Sequence, residues 1–199
     1  MRLFDYRDSG NGYKIRLLLS HLRRDYEWVG VDITKGETRT PEFLARNPNG
    51  RIPMLELDDG THLAESNAIL WFLAEGTPFM PASPLSRART LQWMFFEQYS
   101  HEPYVATPRF IVRHLPEDSP RRRELPERLE KGRAALGVME QQLATHAFLV
   151  DDRYGLADIA LYAYTHVAPD GGLDLAPFPA VRKWLQRVEQ QPGYVTMLS

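Results

Sequence analysis

The chain has 199 residues, 43% hydrophobic, 25% charged and 11% aromatic, which are ordinary proportions for a soluble folded protein and too aromatic for a disordered one. A chain of this length buries roughly 70% of its unfolded surface, enough to fold without metal or disulfide, as one domain or two small ones. With 24 Lys and Arg against 26 Asp and Glu, a net charge of −2 and no cysteine, it lacks the positive field that attracts nucleic acid or anionic lipid, and it excludes disulfides, Cys-ligated zinc, iron–sulfur clusters and a thiol nucleophile of its own.

Residues Arg2 to Tyr6 read as a short apolar strand, and Asp5 interrupts any signal-like stretch. No uncharged apolar run of about 18 residues occurs, so a cytoplasmic, membrane-free protein is the expectation. After the turn Asp8-Ser9-Gly10-Asn11-Gly12, the residues Ile15, Leu18, Leu19 and Leu22 recur at the spacing of one helix face. Tyr26 to Ile33 reads as a second strand. Pro41 to Arg46 reads as a short helix opened by proline, and Asn47-Pro48-Asn49-Gly50 as its stop. Met54–Leu57 and Thr61–Ala64 flank Asp58-Asp59-Gly60 as a hairpin, and Ser66 to Ala74 as a helix. The order is β-α-β-α-β-β-α.

Residues 76–84 then hold three prolines without any period, so a linker is placed at 78–85, between a first domain at 1–77 and a second at 86–199. The second domain has helical period throughout: Ala88, Leu91, Phe95 and Tyr99; Leu129, Gly132, Leu136, Met139 and Leu143; Phe178, Val181, Leu185 and Val188. Residues 156–167 are apolar on more than one face and belong in the middle of the bundle.

Three stretches of the first domain carry candidate chemistry. Ser9-Gly10-Asn11-Gly12-Tyr13-Lys14 turns a strand into a helix and offers a hydroxyl and main-chain N–H groups at the positive helix end, either for an anion or merely as a cap. Arg51-Ile52-Pro53-Met54-Leu55 places a proline at the head of a strand; a cis bond there would turn the main chain of Ile52 outward, able to pair with an extended peptide. Glu65-Ser66-Asn67-Ala68-Ile69 sets a carboxylate and a hydroxyl at a strand-to-helix junction, where Ser66 is a candidate cap and Glu65 a partner for an ammonium group.

In this order and spacing, with Gly155-Leu156-Ala157-Asp158-Ile159-Ala160 as a weaker match further on, the whole chain resembles the cytosolic glutathione transferase family, in its bacterial form with serine and asparagine at the active site. The resemblance implies an N-terminal thioredoxin-like domain, a C-terminal α-helical bundle, a homodimer, and glutathione as substrate with no further cofactor. Carried over residue by residue, Ser9 and Asn11 stand where the family activates the thiol. Ile52, with Pro53 in cis, meets the cysteinyl unit, and Glu65 and Ser66 hold the γ-glutamyl end. Arg39, Arg51 and Lys35 are the cations available for the glycyl carboxylate. Two departures stand out: Tyr6 falls inside the first strand rather than at the place of a catalytic tyrosine, and Gly155 replaces the usual Ser or Thr three residues before Asp158.

Six histidines show no metal-ligand spacing, and neither Gly-x-Ser-x-Gly nor Gly-x-Gly-x-x-Gly occurs. Arg121-Arg122-Arg123, followed by Glu124, Glu127 and Glu130, reads as a solvated helix start with ion pairs. Of Trp93, Phe95, Phe96, Tyr99, Tyr104 and Phe110, most are expected in the core, with Tyr99, Tyr104 and Phe110 lining an apolar second-substrate pocket. The expected activity is conjugation of the glutathione thiolate to an apolar electrophile. The alternatives are glutathione-dependent disulfide reduction and a non-catalytic scaffold; no nucleic acid, membrane or metal is expected as partner. Asp158 is expected to bond back to main-chain N–H groups at its own helix start.

Overall fold

The computed structural model describes all 199 residues. Four short strands, β1 (Arg2–Asp5), β2 (Glu27–Gly30), β3 (Met54–Glu56) and β4 (His62–Ala64), form one mixed sheet in the order β2-β1-β3-β4. β1 and β2 are parallel, Arg2 opposite Glu27, and helix α1 (Gly10–Leu22) makes the crossover that a parallel pair requires. β3 runs antiparallel to both β1 and β4. The β3–β4 hairpin turns where expected, with Gly60 at φ 83° and Leu57 N–H donating to the Thr61 carbonyl at 2.8 Å. β2 stops short of Ile33, because Asp32 caps a 3-10 turn by accepting from Thr34 N–H at 2.9 Å; the hydrogen bonds from Thr34 also hold its carboxyl down at about 2.

Helices α2 (Pro41–Arg46) and α3 (Ser66–Ala74) complete the expected β-α-β-α-β-β-α series. One core cluster joins Phe4, Val31, Phe43 and Met54; elsewhere α1 packs against α3, burying Ile15, Leu18, Leu19, Ile69, Leu70 and Leu73.

The chain divides into two compact units, Met1–Gly76 with Pro192–Ser199, and Thr77–Gln191. The last segment, placed by sequence with the helical half, thus returns to the first unit. There it takes up the polar groups of α1: Tyr13 donates to the Val195 carbonyl at 2.6 Å, Ser20 to the Gly193 carbonyl at 2.8 Å, and Arg16 to the Met197 carbonyl.

The second unit is helical: α4 (Pro84–Phe96), a π-helical turn (Glu97–His101), α5 (Glu102–His114), α6 (Leu125–Leu143), α7 (Leu156–Thr165) and α8 (Pro179–Glu189). α7 is its middle, buried at every position except Tyr164. The expected inner faces of α6 and α8 are inside, with Gly132, Leu136, Met139 and Leu143 on one and Val181, Leu185 and Val188 on the other; only Leu129, at the start of the α6 stripe, is half-buried. α4 is the exception. The residues expected to face the core, Ala88, Phe95 and Tyr99, are exposed and Leu91 is half-buried, while Ser86, Thr90, Met94, Glu97 and His101 are buried instead. None of the six aromatics between Trp93 and Phe110 is fully buried, which corrects the expectation that most are core. The inward hydroxyls need no partner outside the helix: Thr90 donates to the Ser86 carbonyl at 2.9 Å, and Ser86 shares a hydrogen bond with the Ser83 cap at 2.7 Å.

Asp158 is fully buried at the start of α7. Its carboxylate accepts from the N–H of Gly155 at 3.0 Å, as expected, and also from Leu149 N–H at 3.1 Å and Trp184 Nε1–H at 2.8 Å. It therefore joins a loop, α7 and α8. Glu124 pairs with Arg121 at 3.1 Å and Arg128 at 2.8 Å, the solvated helix start expected there. No helix is long and apolar enough to cross a membrane, and no group of His, Asp or Glu is placed to hold a metal ion.

Candidate functional site

The turn after β1 starts with Ser9, the N-cap of α1, whose Oγ accepts from Gly12 N–H at 3.3 Å. The capping role is therefore real, but an accepting hydroxyl keeps its own proton, so Ser9 retains one donor. Gly12 has a specific reason to be glycine: a Cβ there would lie 1.6 Å from Asp5 Oδ1. Asp5 and Arg16 are both buried and paired at 3.0 Å, locking β1 to α1 beneath the turn. Burial pushes the Asp5 carboxyl up to about 6 even against the Arg16 charge. Tyr6 lies one residue past β1, its N–H on Asp5 Oδ1 at 2.7 Å and its carbonyl accepting from Ser9 N–H at 2.8 Å.

Asn11, half-buried in the first turn of α1, directs its Oδ1 inward, where it accepts from Lys14 Nζ at 2.8 Å and from Ser66 Oγ at 3.2 Å. Lys14 also donates to Ser66 Oγ at 3.3 Å, which closes a triangle across α1 and α3. The expectation that Ser66 caps α3 is corrected here. Glu65 is the N-cap and makes no side-chain cap bond, while Ser66 is the first helical residue, buried, with its hydroxyl committed to the triangle.

Glu65 is exposed and stands at φ 70°, ψ 112°, a left-handed-side conformation that costs a non-glycine residue about 1–3 kcal/mol and is kept where the surroundings impose it. Its Oε1 accepts from Asn49 Nδ2 at 3.4 Å. Asn47 Nδ2 donates to the Arg51 carbonyl at 2.8 Å, so the loop before β3 is fixed by the two asparagines of the helix stop. The Ile52–Pro53 bond is cis, as expected. Of the three cations, Arg39 donates to the Asn49 carbonyl at 3.2 Å and Lys35 pairs with Asp32 at 3.2 Å, while Arg51 is exposed at the loop itself.

The three stretches singled out by sequence therefore meet in one place in the first unit. The turn 9–14 is tied to Ser66 through Lys14 and Asn11, and the loop 47–53 to Glu65 through Asn49. Ile52 is half-buried. Tyr99, Tyr104 and Phe110 belong to the helical unit; Tyr99 is 84% exposed, the other two half-buried. Two residues of the site escaped the sequence. Asn49 looked like turn chemistry. Lys14 carries no signal of its own beyond closing the 9–14 motif; it falls among Ile15, Leu17 and Leu18 in a helix buried on nearly every side, and a lysine in such a position is rarely buried unless something inside receives its charge.

Residues 1–75 match the glutathione S-transferase N-terminal domain and residues 93–192 the glutathione S-transferase C-terminal domain. A crystal structure of a glutathione S-transferase from Pseudomonas fluorescens [Pf-5] is 54% identical, superposes with a TM-score of 0.95, and is matched over 100% of this chain and 98% of that one. The disulfide-bond oxidoreductase YfcG of Escherichia coli (strain K12) is 33% identical over 92% of this chain and 87% of its own length. Ure2p in complex with glutathione is 26% identical, with a TM-score of 0.87 over 99% of this chain and 92% of that one. With both halves matched in order, the chain belongs to the glutathione S-transferase family.

Proposed function

We propose that this protein is a glutathione transferase in which Ser9 and Asn11 activate the thiol of bound glutathione for attack on an apolar electrophile. The observation that supports it is the hydrogen-bonded triangle Asn11–Lys14–Ser66, which holds a donor amide at the start of α1 beside the junction 65–66. A free thiol ionises near 8.5 and only the thiolate attacks. Each unit of lowering requires about 1.36 kcal/mol, and one hydrogen bond to a charged acceptor supplies about 1.5–3. Ser9 Oγ–H and Asn11 Nδ2–H therefore suffice between them, with the first N–H groups of α1 adding to the same field.

In this scheme the main chain of Ile52, with Pro53, pairs with the cysteinyl unit. Glu65 and the N–H of Ser66 hold the γ-glutamyl end, and Arg51 and Arg39 are the cations for the glycyl carboxylate. Tyr99, Tyr104 and Phe110 offer apolar surface for the electrophile. The thiolate sulfur bonds to the electrophilic carbon and the leaving group departs with its electron pair. The working form is a cytoplasmic homodimer, and the apolar stripe exposed on α4, with Leu85 60% and Phe95 69% exposed, is the surface a second copy would cover.

A second reaction is favoured by the 33% identity to a protein named as a disulfide-bond oxidoreductase. There the same thiolate attacks a disulfide and releases one thiolate; a second glutathione then resolves the mixed disulfide and leaves oxidised glutathione. With no cysteine in the chain, both electrons come from glutathione. Parallel assays, one with an aromatic halide and one with a small disulfide, decide between them. Turnover of the disulfide alone would replace the transferase assignment, and turnover of neither would leave the scaffold.

A further inference from the structure

We propose that Lys14 is a positioning residue for thiol activation, holding the Asn11 amide with its NH2 toward the sulfur and placing a buried positive charge behind it. The inference rests on Asn11 being a thiolate donor and extends that assignment to the lysine of the triangle, whose charge the proposed function does not use.

Lys14 is 0% exposed, and an ammonium removed from water needs strong acceptors to remain charged. Two of its acceptors are Asn11 Oδ1 at 2.8 Å and Ser66 Oγ at 3.3 Å. Ser66 in turn donates its hydroxyl proton to the same Oδ1 at 3.2 Å. An amide whose oxygen is held by two donors has one orientation left, and its two N–H groups point away from them. A cation on the carbonyl oxygen also withdraws electron density through the amide, which strengthens those N–H groups as donors to a sulfur anion. Helical period places Lys14 nearly opposite Gly12 and Arg16 on α1, so the Asp5–Arg16 pair, already neutralised at 3.0 Å, lies on the other face. The other acidic groups flanking these elements are Asp8, before α1, Glu65 and Glu75 at the two ends of α3, and the C-terminal carboxylate of Ser199 on the segment packed against α1. A lysine that only pinned α1 to α3 would need Ser66 but not Asn11; the shorter of the two bonds goes to Asn11.

The test titrates the thiolate absorbance of bound glutathione in the parent protein, Lys14→Met, Lys14→Gln, Lys14→Arg and Asn11→Ala, with the thermal midpoint and glutathione affinity measured alongside. Both neutral variants are expected to raise the thiol pKa by about one unit, a tenfold smaller thiolate fraction below that pKa, while Lys14→Arg keeps most of the parent value. Lys14→Gln preserves a donor for Asn11 Oδ1 and serves if Lys14→Met does not fold. Neutral variants that melt lower but titrate like the parent, while Asn11→Ala shifts, would make Lys14 structural and overturn the inference alone. An unshifted Asn11→Ala would overturn both it and the assignment of Asn11 on which it rests.

Discussion

Helices α1 and α4 each have 13 residues and each repeat apolar side chains at helical spacing, yet the two stripes face opposite ways. In α1 the stripe is the core: Ile15, Leu18 and Leu19 are fully buried against the rest of the first unit. In α4 it is the outer surface, with Leu85 and Phe95 exposed while Ser86, Thr90 and Met94 face in. A hydroxyl that bonds its own helix packs inward almost as readily as a methyl, so the polar face of α4 is no bar to burial. Periodicity therefore identifies a face that avoids water, and what covers that face is a separate question.

The largest expected effect concerns the polar interior of the helical unit. Asp158→Ala strands two buried donors, from Leu149 and Trp184, each costing roughly 1–3 kcal/mol, and the half-buried N–H of Gly155, so the loss is expected to reach at least about 3 kcal/mol. Burial also raises this carboxyl from 3.8 to about 7, with the three hydrogen bonds opposing it, as burial raises Asp5 to about 6. At these two carboxyls the folded chain binds more protons than the unfolded chain between about pH 4 and 7, so their contribution to stability is fully present below this window and is lost as pH rises through it. Asp158→Asn removes the larger share, and denaturant midpoints across the window are expected to vary less than the parent's. An Asp158→Asn profile as steep as the parent's would refute this.

On the side of α1 the corresponding break is Arg16→Met, which leaves Asp5 buried without its cation and is expected to cost about 3–5 kcal/mol. Adding Asp5→Leu should return most of that loss, because the charge then has no counterpart left behind. If the double variant is no more stable than the single one, the bonds from Arg16 to the carbonyls of Arg7 and Met197 carry the site rather than the ion pair.

A third variant addresses the outward stripe itself. Phe95→Glu puts a charge on the exposed face of α4 and touches no buried position, so the subunit's unfolding midpoint should hold while self-association weakens by at least about 1.4 kcal/mol, a factor of ten in the dimer constant. Sedimentation over a dilution series reads this directly. Unaltered self-association would mean that a second copy covers some other face, and a parent that sediments only as a monomer would remove the proposed dimer.

Against these tests, what the sequence makes legible follows from how local each device is. The hairpin at Asp58–Gly60, the proline-opened α2 and the capping carboxylate of Asp158 are set by residues within a few positions of one another, and all stand where expected. The site's three stretches were legible because each has its own turn or junction chemistry. Their connections were not, because Lys14 to Ser66 and Asn49 to Glu65 are contacts made only when α1, α3 and the loop before β3 come together. The return of Pro192–Ser199 to α1 is of the same kind: its main-chain carbonyls carry no side-chain signature at all.

The smallest effect on stability is that of Ser9, in the turn where capping and catalysis meet. Ser9→Ala loses the bond to Gly12 N–H and should cost about 1 kcal/mol, typical for an N-cap; Asn11→Ala loses no cap but takes an acceptor from the buried Lys14 ammonium and from the Ser66 hydroxyl, and should also lower stability. If both side chains also donate to the thiolate, each single change raises the pKa of bound glutathione by about one unit while its affinity stays within a few fold, and the double change raises it further. Both variants are expected to melt lower, so the thiol pKa is the readout that separates catalysis from structure at either residue. Capping alone would give a lower melting temperature for Ser9→Ala with the thiol unmoved. Two unshifted titrations would transfer activation to the main-chain N–H groups at the head of α1 or to Tyr6, because nothing would remain for Ser9 and Asn11 to donate to.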